Sequence, residues 1–118
     1  MMQYVLPENI VQDFTPFTQA FGHYTHKRFT TKNVFTAGET YHIIIDATVD
    51  EATRIQLYMG TLTGNIFYGE YGQNGVLEGD YTVQRTTTEA FADIFVRAAS
   101  NTGKNYTATV RKLYVYKK

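Results

Sequence analysis

Between positions 40 and 49 the chain alternates. Tyr41, Ile43, Ile45, Ala47 and Val49 hold one phase, and Thr40, His42, Ile44, Asp46 and Thr48 hold the other. A side-chain period of two belongs to a β-strand with one dry and one wet face. The alternation returns at Ile55, Leu57 and Met59 and continues to the C-terminus. Turn-forming residues break it at Gly38, Asp50, Gly60, Gly64, the Asn74-Gly75 pair and Gly103. Short alternating segments divided by such turns predict an all-β sandwich. The expected strands are 28–35, 40–49, 53–59, 65–71, 76–85, 89–98 and 105–116. Asn74-Gly75 reads as a hairpin turn, because both residues tolerate positive φ.

A chain of 118 residues has room for one domain. Ten Tyr, eight Phe and abundant Thr favour a pleated, half-buried surface. Net charge is zero, with Lys and Arg scattered, so the basic footprint of a nucleic-acid binder is missing. The chain has no cysteine, which excludes disulfides, thiolate metal ligands and a cysteine nucleophile. Residues 1–8 carry neither the basic nor the apolar region of a secretory leader, and no apolar run approaches a bilayer span. A soluble protein without membrane contact is expected.

Two places depart from simple alternation. Residues 1–27 read as an N-terminal arm or edge segment before a sandwich domain at 28–118. Ile10, Val11, Phe14, Phe17 and Phe21 have helical spacing, but Pro16 interrupts it, which leaves at most one helical turn followed by extended chain. Phe14, Phe17 and Phe21 would then contact a neighbouring subunit, or else close the sandwich. In the last strand Tyr106, Ala108 and Val110 alternate, and Leu113 and Val115 continue in the opposite phase. One inserted residue near Arg111-Lys112, a β-bulge, accounts for the slip.

The stretch from Phe35 to Val115 resembles the galactose-binding-like jelly rolls typical of carbohydrate-binding modules. The matching parts are Gly38-Glu39-Thr40-Tyr41 before Ile43-Ile44-Ile45, the Ile55-Gln56-Leu57 strand, Asp80-Tyr81-Thr82-Val83, Thr88-Glu89-Ala90-Phe91 before Ile94-Phe95-Val96, and the closing strand. The resemblance implies an antiparallel jelly roll. It departs from that family's pattern at Arg111-Lys112-Leu113-Tyr114, where a calcium-binding carboxylate would fall, and in having no Trp for sugar stacking. Size and architecture also resemble auxiliary capsid and tail proteins of bacteriophages.

Few residues offer chemistry. His23, His26 and His42 are the only histidines, and in extended chain His23 and His26 point to opposite faces, so no metal site is expected. Glu70, Glu78 and Asp80 flank the expected hairpin, where Glu70 and Glu78 would face each other as a solvated rim or hold a cation. Ser100 is the only serine and lacks the Gly-x-Ser-x-Gly elbow. Asn105-Tyr106-Thr107 fits a glycosylation sequon. No cofactor and no catalytic set are expected.

The aromatic residues are the functional lead. If Ile94 and Val96 point inward, Phe91 and Phe95 point outward; Tyr114 and Tyr116 likewise oppose Leu113 and Val115, and Tyr58 opposes Leu57. One outer face carrying Tyr58, Tyr68, Phe91, Phe95, Tyr114 and Tyr116 would be a platform for protein, for a glycan, or for the chain's own N-terminal residues. The leading expectation is a non-enzymatic structural protein, a phage virion accessory of the capsid or tail, attached to other subunits or to itself through this face. The alternative is a carbohydrate-binding module.

Overall fold

The computed structural model describes residues 7–22, 25–50, 53–60, 64–71, 74–97 and 105–118. Among these, all regular structure is strand, and no helix is long and apolar enough to cross a membrane. The strands are β1 (Phe17–Phe21), β2 (Lys27–Thr30), β3 (Thr40–Val49), β4 (Thr53–Met59), β5 (Ile66–Tyr71), β6 (Asn74–Thr82), β7 (Phe91–Arg97) and β8 (Tyr106–Lys117). They form two four-stranded antiparallel sheets, ordered β1-β8-β3-β6 and β2-β7-β4-β5. Consecutive strands mostly alternate between sheets, as in a jelly roll.

The core lies where the apolar phases meet. Tyr41, Ile43, Ile45, Ala47 and Val49 of β3 are buried, as are Ile55, Leu57 and Met59 of β4. Ile45 stands between Leu77 of β6 and Leu113 of β8. Ala92, Ile94 and Val96 complete the second inner face.

The expected bulge is present. Asp46 pairs with Lys112 and Ala47 with Val110, which leaves Arg111 as the extra residue. Arg111 and Lys112 are consecutive exposed residues, and Val110 and Leu113 on either side are buried. The insertion therefore restores inward pointing after the phase slip.

The N-terminal segment takes the extended one of the forms expected for it. Residues before β2 form no helical turn among those described. Instead the Ile10 N–H donates to the Val115 carbonyl (2.8 Å), and the Gln12 N–H to the Thr30 carbonyl (3.0 Å). The Asn9 carboxamide caps the same edge, donating to the Leu113 carbonyl at 3.0 Å and accepting from the Val115 N–H at 3.0 Å. This stretch crosses from one sheet to the other and buries Ile10 and Val11, a tertiary gain that local spacing does not reveal.

The contacts of Phe14, Phe17 and Phe21 are made within this domain. Phe21 is fully buried, and Phe14 and Phe17 pack on Phe29 at 5.4 and 5.8 Å between ring centroids. Asn74 and Gly75 are also not a hairpin turn: they begin β6 and pair with Thr48 and Ala47 of β3. β5 and β6 belong to different sheets, so Glu70 and Glu78 do not face each other across a ladder. Asn-Gly signals the left-handed backbone but not which strands that backbone joins.

Candidate functional site

The outer face of the β2-β7-β4-β5 sheet is built from the polar phase of β4. Arg54, Gln56 and Tyr58 point away from the core, in the phase opposite to Ile55, Leu57 and Met59. Across the ladders, Gln56 lies opposite Phe95 of β7 and Tyr68 of β5, and Tyr58 lies opposite Asp93 and Ile66. Gln56 therefore sits within a frame of Phe95, Tyr68, Arg54 and Tyr58. The Tyr58 and Phe95 rings are 4.5 Å apart at their centroids, and the Arg54 guanidinium lies 5.3 Å from the centre of the Tyr68 ring. Tyr68 is 58% exposed. Its strand is fixed at its start by buried Asn65, whose amide donates to the Met59 and Arg85 carbonyls and accepts from the Gln84 and Arg85 N–H groups.

Beside this frame a buried carboxylate is paired with a half-exposed guanidinium. Asp93 is 0% exposed, and Arg28 clasps it with Nε to Oδ1 and Nη2 to Oδ2, both at 2.9 Å. The planar guanidinium fork matches the carboxylate, which makes this a strong, charge-assisted arrangement. The hydrogen bond to Asp93 holds the Arg28 pKa above its ordinary value, against an opposing effect of burial. The guanidinium also covers the Phe91 ring at 3.7 Å, a cation–π contact. His26 lies 5.1 Å from the Phe95 ring centroid and 4.0 Å from Asp93 Oδ2. Phe91 and Phe95 are consequently buried although they belong to an outer face.

The opposite sheet presents a different face. His42, Ile44 and Asp46 of β3 alternate with the core phase, flanked by Tyr116, Tyr114 and Lys112 of β8 and by Asp80, Glu78 and Val76 of β6. The Tyr114 and Tyr116 rings are 5.3 Å apart, and the Tyr114 hydroxyl donates to the Pro7 carbonyl. Arg111 donates to Thr48, Asp46 and Asn74, and its hydrogen bond lowers the Asp46 pKa.

His42 bonds Asp80 through Nδ1 and Glu78 through Nε2, both at 2.6 Å. Two carboxylate acceptors require two N–H donors, and only the imidazolium has both. The bond to Asp80, then that to Glu78, raises the His42 pKa. Because the folded value lies above the unfolded one, the stability gained is fully present below the ordinary imidazole value of about 6.5 and is lost as pH rises through the elevated folded value. His42→Gln should therefore lower the melting temperature most near about pH 6. The gap from the wild type should close as pH rises through the elevated folded value, as measured by circular dichroism melts.

Six aromatics were expected on one platform, and the fold divides them. Tyr58, Tyr68, Phe91 and Phe95 belong to the β2-β7-β4-β5 sheet, and Tyr114 and Tyr116 to the other. Of the first four, Tyr58 and Tyr68 retain exposed ring surface. The phase of a strand says which side faces inward but not which sheet the strand joins. His23 and Ser100 lie outside the described residues. Glu78 is bound to His42 and Asp80 to both His42 and Lys118. Gln56 and Arg54 were not anticipated as site residues, although their phase, shared with Tyr58, was readable. The Arg28–Asp93 pair had no such signal.

No protein-family model matches the chain, nor does any curated protein. A solved structure described as "CBM4 structure and function", a family 4 carbohydrate-binding module, is similar in fold. The similarity covers 87% of this chain and 84% of that one, with a TM-score of 0.62 and 10% sequence identity. At that identity the likeness is one of fold, a β-sandwich of jelly-roll type.

Proposed function

We propose that the chain is a non-enzymatic carbohydrate-binding domain that holds a saccharide on the outer face of the β2-β7-β4-β5 sheet. The observation that carries this reading is the exposed Tyr68 ring, fixed beside Tyr58, Gln56 and Arg54. An aromatic ring offers a face on which the C–H side of a sugar packs, and neighbouring amide and guanidinium groups offer hydrogen bonds to its hydroxyls. The similarity in fold to a carbohydrate-binding module supports the same reading. The leading expectation from sequence, a phage virion accessory protein attached to other subunits, draws no support from these comparisons.

The test is a glycan array followed by titration calorimetry. Tyr68→Ala should weaken binding of any captured oligosaccharide about tenfold, equivalent to about 1.4 kcal/mol. Tyr114→Ala, on the opposite face, should bind as the wild type does. Absence of any captured glycan, or a loss confined to Tyr114→Ala, would overturn the assignment.

A further inference from the structure

We infer that His26 is a further contact point of this saccharide site, and that the ligand is an oligosaccharide lying across the strands from β2 to β5. The inference rests on the carbohydrate-binding reading above. Gln56 of β4 stands opposite Tyr68 of β5 on one side and Phe95 of β7 on the other. The β2–β7 ladder ends with Lys27 opposite Ile94, and His26 is the next position, beside Phe95. The His26 and Phe95 ring centroids are 5.1 Å apart. One row therefore crosses all four strands of the sheet, in the order His26, Phe95, Gln56, Tyr68.

The middle of this row is a floor, and its ends are open. Phe95 and Gln56 are buried, and the Tyr58 ring packs against Phe95 at 4.5 Å. At the ends, the His26 side chain is 35% exposed and Tyr68 is 58% exposed. His26, Tyr58 and Tyr68 thus keep ring surface open to a ligand. The His26 ring is also held in place. It rests on Phe95, and its Nε2 lies 4.0 Å from Oδ2 of Asp93, which Arg28 clasps in turn. A ring that is held yet open to water loses little freedom when a ligand covers it.

The spacing specifies the shape of that ligand. Neighbouring strands lie about 4.8 Å apart, so the strand positions of His26 and Tyr68 are separated by about 14 Å. A single sugar unit covers one ring. An extended chain of sugars presents a C–H face at each unit, and it meets rings on β2, β4 and β5 only if it runs at right angles to the strands. A chain aligned with β4 would pass Tyr58 and miss His26. The class that fits is a linear oligosaccharide longer than a disaccharide.

Titration calorimetry with cello-, xylo- and malto-oligosaccharides of two to six units tests this. Wild-type affinity should rise with chain length until the ligand spans about 14 Å, and then level off. His26→Ala should weaken binding of the hexasaccharide about fivefold and leave the disaccharide unchanged. His26→Phe, which keeps a ring, should bind the hexasaccharide within about twofold of the wild type. Tyr68→Ala should weaken both ligands. Should His26→Ala fail to fold, His26→Phe and the wild-type length series still decide. Equal wild-type affinity for every length, or a hexasaccharide that His26→Ala binds as tightly as the wild type does, would overturn the reach to His26; a loss in Tyr68→Ala would then still uphold the carbohydrate reading. A wild type that binds no member of the panel would overturn both.

Discussion

Ile45→Asp leaves the protein unfolded at 25 °C, and Ile44→Asp, one position earlier on the same strand, leaves it folded with a lower denaturation midpoint. Ile45 is fully buried and stands between Leu77 and Leu113 on the neighbouring strands. A carboxylate there would have no donor or cation among the core residues. An uncompensated buried charge costs several kcal/mol, and the whole stability of a domain is about 5–15 kcal/mol. Loss of the isoleucine side chain from the core adds about 2–5 kcal/mol.

Ile44 lies on the outer side, half-buried between Glu78 and Tyr114. An aspartate at this position stays in contact with water. Its cost is repulsion from Glu78 across the ladder, on the order of 1 kcal/mol. Far-ultraviolet circular dichroism and urea titration of both variants decide the matter. Equal midpoints would mean that the two sides of β3 are equally enclosed, contrary to the packing described.

Arg28→Ala destabilises the fold by about 3 kcal/mol, more than Asp93→Asn does. The asymmetry follows from exposure. The Asp93 side chain is 0% exposed and the Arg28 side chain 49% exposed. Removing the arginine strands a carboxylate out of water, whereas removing the acid leaves a guanidinium that water still reaches. Arg28→Ala also uncovers the Phe91 ring, which adds exposed apolar surface. The double variant Arg28→Met with Asp93→Leu should recover most of the loss, because buried pairs replaced by apolar residues of similar size are often neutral. Guanidinium denaturation of the four proteins tests this. A larger loss for Asp93→Asn than for Arg28→Ala would show that the cation, not the buried carboxylate, is the costly group when left alone.

Much of the sandwich is readable in the residues. The bounds of β3 and β4 match the expected 40–49 and 53–59. The bulge at Arg111 follows from a phase slip visible in the last strand. These features are local: a strand with one dry side must alternate, and an inserted residue must break the alternation. β1 was open between an arm and an edge strand, because Phe14, Phe17 and Phe21 satisfy a helical spacing as well. Its strand conformation comes from pairing with β8, nearly ninety positions away in the chain.

The candidate site was legible only in part. Tyr58 and Tyr68 were in view because their rings oppose the core phase. Asp93 lies in an apolar stretch, and nothing in that stretch announces that Arg28 reaches across from β2 to clasp it. Gln56 has the right phase, but the rings that frame it come from β5 and β7, which the sequence does not place beside β4.

From its residues alone this chain determines which side chains turn inward and where the turns and the bulge fall, because period two and backbone preference act over a few positions. Only the tertiary structure decided which strands share a sheet. It therefore placed Tyr58 and Tyr68 beside Gln56 and sent Tyr114 and Tyr116 to the far side. The physical reason is that ladder pairing joins backbones distant in sequence, and the hydrogen bonds that select a partner strand are the same whatever side chains the strand carries.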